Sequence, residues 1–204
     1  MKSKLKMWFR ARRSIPALIG DRSAVAALEF ALIVPIMLVM FFGTVEMSSG
    51  VAVDRKVTLV ARTLSDLTSQ STSVADTDMT NFFTASGAIL TPYSPTPTHA
   101  KLSELYVDPS TLQARVQWSK SATLDSSGNV TLAAGRAVSS IVAIPSQLAV
   151  GGTYLIFSEV SYLYTPTVGY VMGHAGVNLS DVAYTRPRQS TCVFYSPATA
   201  CTTL

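Results

Sequence analysis

The stretch from Ala24 to Gly43, AVAALEFALIVPIMLVMFFG, decides how the rest of the chain is organised. It contains one ionisable side chain, that of Glu29. At 1.5 Å per residue, a helix of this length measures about 30 Å, which is the thickness of one membrane hydrocarbon layer. The stretch therefore predicts a membrane-spanning helix with Glu29 in its first third.

The carboxylate of Glu29 is costly in such a helix, because a charged carboxylate at the centre of a bilayer costs about 2.5–3.5 kcal/mol. Two interpretations follow. Either the side chain of Glu29 reaches the nearer membrane surface and has no further role, or it pairs with a cation inside the membrane.

Charge is distributed unevenly along the chain. Of 16 basic and 12 acidic residues, seven basic ones and only Asp21 precede the apolar stretch, whereas the region from Met47 onward is neutral. The positive-inside rule therefore predicts a cytoplasmic N-terminus and an exported C-terminal region. The net charge of +4 therefore arises from the N-terminal tail and is not a sign of nucleic-acid binding. A cleaved signal peptide is the alternative, although the apolar run is longer than a usual h-region.

Helical periodicity continues beyond the apolar stretch. Val53, Val57, Val60, Leu64 and Leu67 recur at steps of four and three residues, with charged residues between them. This pattern predicts one continuous helix from Ala24 to about Leu67. It divides the chain into a basic cytoplasmic tail (1–23), a transmembrane helix (24–46), an amphipathic continuation (47–72) and an exported domain (73–204).

The exported part predicts an α+β fold with an antiparallel sheet of about four strands. We expect a polar linker after the long helix and a short helix over 77–90. Residues 101–107 and 112–119 read as a hairpin, in which Leu112, Ala114, Val116 and Trp118 share one face. The run 153–164 is apolar on both faces apart from Glu159, as in a central strand. Residues 177–187 read as a weaker last strand.

The two cysteines, Cys192 and Cys201, predict a disulfide in an oxidising compartment, with free thiols as the alternative. His99 and His174 lack metal-ligand spacing to the cysteines. No nucleophile elbow, phosphate-binding loop or zinc-protease motif is present in the sequence. We therefore expect no enzyme activity, no metal, no cofactor and no small-molecule substrate.

Three segments together resemble one family. DRSAVAALEFALIVPIMLVMFFGTVEMS resembles the N-terminal signature of TadE/TadG-like proteins, SEVSYLYTPTVG resembles their E-V-x-Y-x-Y-x-P segment, and AYTRPRQ resembles their terminal Y-x-R-P-R segment. The matching motif positions are Phe30, Pro35, Gly43, Glu46, Glu159, Tyr162, Tyr164, Pro166, Arg186, Pro187 and Arg188. The resemblance implies a minor pilin or pseudopilin of a tight-adherence pilus system, with other pilin-like subunits and the inner-membrane assembly platform as partners.

The resemblance also implies a role for Glu29. In type IV pilin-like proteins, a glutamate five residues after the processing site neutralises the N-terminal amine of a neighbouring subunit. Applied here, cleavage would fall between Ala24 and Val25. The sequence departs from the prepilin pattern, because Ser23 and Ala24 stand where a glycine is preferred before the cut. The resemblance further suggests Arg186 or Arg188 as the partner of Glu159.

These observations lead to one functional hypothesis and one alternative. We expect a non-enzymatic, minor pilin-like component of pilus assembly or secretion. It would cross the inner membrane once, with a cytoplasmic N-terminus and a periplasmic or extracellular C-terminal domain. The alternative is a signal-anchored envelope adhesin or binding domain unrelated to pili. An anchored hydrolase is a third and weaker hypothesis.

The charge asymmetry predicts the topology. A reporter that is active only after export, fused behind Leu204, should be active, because the positive charge of the tail retains the N-terminus in the cytoplasm. Protease added to spheroplasts should digest the region after Met47 and leave a small membrane fragment. Protection of that region would reverse the predicted orientation.

Overall fold

A computed structural model describes residues 22–96, 98–166 and 176–201. Within these residues, two α-helices and eight strands follow one another, with two 3-10 turns at Ala88–Leu90 and Ser146–Leu148. The helices are α1 (Arg22–Ser69) and α2 (Asp76–Gly87), and the strands are β1 (Ser73–Val74), β2 (Thr98–Val107), β3 (Ala114–Leu124), β4 (Val130–Ala134), β5 (Ile141–Val142), β6 (Tyr154–Tyr164), β7 (Val177–Thr185) and β8 (Phe194–Tyr195).

Helix α1 contains 48 residues and confirms the predicted continuous helix. It is long and apolar enough in its first half to cross a membrane, and no other helix of the described residues is. Pro35 lies within it and removes one backbone hydrogen bond, a loss that membrane-spanning helices tolerate. The chain divides into two compact units, 1–47 and 48–204.

The second unit is built on a six-stranded antiparallel sheet in the order β4-β3-β2-β6-β7, with β5 paired to the start of β3. Strand β6 lies between β2 and β7, as predicted for an apolar strand. The sheet has two more strands than the four predicted. The additional ones, β4 and β5, are five and two residues long and lie in a segment without clear alternation.

The inner face of the sheet packs on the second half of α1. The buried stripe of the helix comprises Val53, Val57, Val60, Ala61 and Leu64, each at most 2% exposed. These side chains pack with Leu102 of β2 and with Ile156 and Val160 of β6 in one core cluster. The helical stripe read from the sequence is therefore the face that the domain buries, except that Leu67 at its end is only partly buried.

A second, smaller cluster covers part of the outer face and contains Leu105, Val116, Val142 and Phe157. A β-bulge between Glu104 and Leu105 shifts the pairing of β2 with β3. The predicted alternation of Leu112, Ala114, Val116 and Trp118 is therefore wrong. Ala114 and Val116 belong to the outer cluster, Trp118 belongs to the inner core, and Leu112 is 51% exposed outside the strand. A bulge moves every later side chain to the opposite face, and the alternation does not reveal it.

Two further boundaries differ from the predictions. The expected polar linker after α1 contains strand β1, because Ser73 and Val74 pair in parallel with Phe194 and Tyr195 of β8. The short helix over 77–90 is an α-helix only to Gly87 and continues as a 3-10 turn.

The C-terminal segment is bound to the core through both backbone polar groups of Val193. Cys192 and Cys201 form a disulfide, as predicted. The backbone N–H of Val193 donates to Glu104 Oε1 at 2.5 Å, and the indole N–H of Trp118 donates to the carbonyl of Val193 at 2.6 Å. The side chain of Val193 is fully buried. Cys192 and Val193 are thus part of the core, whereas residues 196–201 are exposed.

Glu104 is only 2% exposed. Burial raises the pKa of its carboxyl group to about 8, although the hydrogen bonds from Val193 and Trp118 act in the opposite direction. In the unfolded chain the same group titrates near 4.5. Between these two values the folded protein binds a proton that the unfolded chain has lost, so the stability of the fold decreases as pH rises through this window.

Replacement of Glu104 by Gln should therefore flatten the pH dependence of stability between about 4.5 and about 8. One proton contributes a slope of up to about 1.4 kcal/mol per pH unit. The free energy of unfolding of the full chain in detergent micelles, measured by denaturant titration, should lose that slope in Glu104→Gln. Glu159→Gln, at a partly exposed carboxylate, should retain it. An unchanged slope in Glu104→Gln would show that Glu104 is ionised in the folded protein.

Candidate functional site

The first half of α1 presents an apolar surface around one carboxylate. Ten large apolar side chains between Val25 and Met40 are each 48–70% exposed, and Glu29 is exposed among them. Phe30, next to Glu29, is 69% exposed. Such a surface requires lipid or other apolar helices around it, since exposed patches of this size are not stable in water.

Glu29 has no cation within reach along the following part of the helix. No lysine or arginine occurs between Val25 and Asp54, and Arg55 is 26 positions further on. That separation is about 39 Å of helix. Ala24 and Val25, the predicted processing position, lie in the first turn of the described helix. Processing there and the intersubunit role of Glu29 stay predictions.

Other motif positions of the N-terminal segment lie further along α1. Pro35 is inside the helix and Gly43 is partly exposed. Glu46 is 4% exposed, in contrast to Glu29. The two carboxylates that the resemblance singles out on α1 are therefore in different environments.

Glu159 pairs with Arg136, and the predicted pairing with Arg186 or Arg188 is wrong. The Arg136 side chain donates to Glu159 through Nε at 3.0 Å and Nη2 at 2.6 Å. The bidentate geometry is the strong form of this ion pair. The guanidinium also lies 5.9 Å from the ring centroid of Phe157, which stacks on Tyr184. Arg188 instead pairs with Asp66 of α1 at 2.6 Å.

A close backbone approach at Gly135 places Arg136 over the sheet. A Cβ atom at position 135 would lie 2.0 Å from Ser119 Oγ. The same hydroxyl accepts a hydrogen bond from the backbone N–H of Arg136 at 2.9 Å. Gly135 thus allows the chain leaving β4 to turn tightly across β3, and this turn brings Arg136 to Glu159.

The remaining motif positions have structural roles in the domain. Tyr162 is buried and its hydroxyl donates to the carbonyl of Ser94 at 3.0 Å, while Tyr164 and Pro166 are also buried. The backbone N–H of Arg188 donates to the carbonyl of Ser69, the last residue of α1. Arg186 is exposed and Pro187 is partly exposed. The two downstream segments thus support the sheet and tie it to α1.

A shallow cavity of about 440 Å³ lies on the outer face of the sheet, with His99, Lys101, Ser121 and Glu159 in its lining. No hydrogen bond joins His99 to an acid or a hydroxyl of the described residues. No group of three or more His, Cys, Asp or Glu suited to a metal occurs in the described part of the chain. His174 lies outside it.

The sequence of α1 was compared with models of known protein families. Residues 24–64 match the family model described as TadE-like protein. The matched segment contains the apolar half of α1, Glu29 and the buried stripe of the second half. It confirms the resemblance carried by the N-terminal segment and indicates a component related to tight-adherence pili. No curated protein and no solved structure matches the chain.

Sequence reasoning missed Arg136 because nothing in AAGRAVSS indicates which strand the arginine will face. Gly135 was the available signal, since a glycine directly after a short apolar strand is typical of a close backbone approach. The partner of Glu159 depended on this turn and not on the distance along the chain.

The Arg136–Glu159 pair should contribute about 1 kcal/mol to the stability of the domain that contains the sheet. The arginine side chain is 34% exposed and the glutamate side chain 26%, so solvent screening keeps the value low. A double-mutant cycle with Arg136→Gln and Glu159→Gln, followed by denaturant unfolding, measures this coupling. The cycle of Arg186→Gln with Glu159→Gln is the control and should give no coupling. Equal coupling in both cycles would contradict the pairing.

Proposed function

We propose that the protein is a membrane-anchored, minor pilin-like subunit of a tight-adherence pilus or a related secretion assembly. The observation that carries this proposal is Glu29. It is an exposed carboxylate on an apolar helix that matches the TadE-like model, and residues 25–54 contain no cation. A carboxylate is retained in the membrane at low cost when a partner supplies the opposite charge.

The two halves of helix α1 would have different roles. The first half offers apolar surface for lipid and for the helices of other subunits. The second half is buried along one stripe in the domain and carries it outside the membrane. The N-terminus would be cytoplasmic and the domain periplasmic or extracellular, by the charge asymmetry of the tail. The partners would be pilin-like subunits and the inner-membrane assembly platform.

The domain itself supports a non-enzymatic role. Three of the motif side chains in the domain form structural contacts: Glu159 with Arg136, Arg188 with Asp66, and Tyr162 with Ser94. The alternative, an envelope adhesin unrelated to pili, would use the same anchor without any requirement for charge at Glu29. Neighbouring genes for a secretion ATPase and a prepilin peptidase would favour the pilus proposal.

The role of Glu29 is tested by Glu29→Ala and Glu29→Gln in cells that produce the pilus. Both variants should insert normally or better, because a desolvation cost of a few kcal/mol disappears. Both should nevertheless lose pili or co-purification with partner pilins, because each removes the charge that a cationic group requires. Pilus counts, pull-down yield and membrane yield are measured on the same samples.

Asp54→Ala is the matched control, since it removes an exposed carboxylate from α1 beyond the apolar stretch. It should assemble like the parent. Normal assembly of both Glu29 variants would contradict the proposal and leave Glu29 as a residue that merely reaches the membrane surface. The mature N-terminal residue, determined in the same samples, shows whether cleavage occurs before Val25.

A further inference from the structure

The second half of α1 has an outward face opposite its buried stripe. Arg55, Leu59 and Arg62 follow one another at steps of four and three residues, so they lie on one side of the helix. The two arginines are exposed and Leu59 is 51% exposed. We call these three residues the arginine ridge. Two cations with an apolar side chain between them form this surface.

Neither arginine of the ridge forms an ion pair with another described residue. Among the residues that the structure describes, no carboxylate lies within ion-pair distance of Arg55 or Arg62. Asp66, which is one turn beyond Arg62, is instead held by Arg188 at 2.6 Å and by the side-chain amide of Gln70 at 2.7 Å. The neighbouring cation of the helix, Lys56, donates to the carbonyls of Ile89 and Thr91 and thus serves the fold.

The spacing of the ridge defines a complementary surface. Arg55 and Arg62 are seven residues apart, which is about 10 Å along the helix axis. A second helix packed alongside in the same direction would place residues i and i+7 at matching heights. Two carboxylates at those positions, with an apolar residue between them to cover Leu59, would satisfy all three side chains of the ridge.

A second copy of this chain at the same height does not provide that surface. It would bring Arg55 towards Arg55 and Arg62 towards Arg62, and like charges at close range disfavour association. The ridge therefore favours a different subunit over an identical one as its neighbour.

We propose that the arginine ridge is a docking surface for the helix of a different membrane-anchored subunit, one that carries two carboxylates seven residues apart with an apolar residue between them. The inference rests on the proposed function, which supplies neighbouring anchored helices, and it adds the chemistry that selects among them. Such charge pairs at exposed positions select partners more than they add affinity.

A charge-reversed copy of the same chain is a direct probe, because R55E/R62E carries two carboxylates at the required spacing on an identical anchor. Full-length wild type and R55E/R62E, with donor and acceptor dyes on C-terminal tags, are co-reconstituted in vesicles of zwitterionic lipid. Energy transfer then gives dissociation constants for the wild-type pair, the R55E/R62E pair and the mixed pair. The shared anchor makes the contribution of the membrane helices the same in all three.

The mixed pair should associate about tenfold more tightly than either identical pair at low ionic strength, and this gain should largely disappear in about 0.5 M salt. Wild type mixed with R115E/R186E, which reverses two arginines away from α1, should show no gain. A mixed pair no tighter than the identical pairs, or an equal gain in the control, would overturn the proposal. The vesicles contain no pilus component, so this outcome is independent of the assembly test on Glu29.

Discussion

Burial of one stripe of α1 under the sheet is the contact on which the domain of residues 48–204 depends. The buried side chains of Val53, Val57, Val60 and Leu64 each contribute roughly 1.5–3 kcal/mol. Polar contacts fix the helix in register with the strands: Ser158 donates to the carbonyl of Ala61 at 2.5 Å, and the Thr185 hydroxyl bonds to Ser65 at 2.9 Å. Because the stripe belongs to the helix that also carries the apolar segment, anchor and core share one element.

The C-terminal segment is attached to the domain by hydrogen bonds, by strand pairing and by a disulfide. Glu104 accepts from the backbone N–H of Val193 and Trp118 donates to its carbonyl, while β8 pairs with β1 and the disulfide closes the loop that follows. Burial of the Glu104 carboxyl group removes it from water, which disfavours the charged form. Burial therefore favours the protonated form of Glu104. The domain therefore combines an apolar core with polar contacts to the C-terminal segment, and the contribution of these contacts to stability depends on pH.

The two faces of the second half of α1 lie in different environments. One face packs in the core, and the other is exposed. Exposed aliphatic and cationic side chains on that second face, together with Glu29 in the apolar half, are the groups that the fold itself leaves without a structural task. Charge, rather than shape alone, would then decide which helices lie side by side.

The sequence by itself determined the long helix, its apolar half, the buried stripe, the central strand, the disulfide and the resemblance that the family match confirms. These features depend on periodicity and composition over neighbouring residues, which a linear reading captures. Only the tertiary structure decided the face of Trp118, the partner of Glu159 and the burial of Glu104. A bulge, a tight turn at Gly135 and the return of the C-terminal segment bring together residues far apart in the chain, such as Glu104 and Val193, which are 89 positions apart. No local pattern encodes such contacts, because their geometry depends on how the strands are ordered in space.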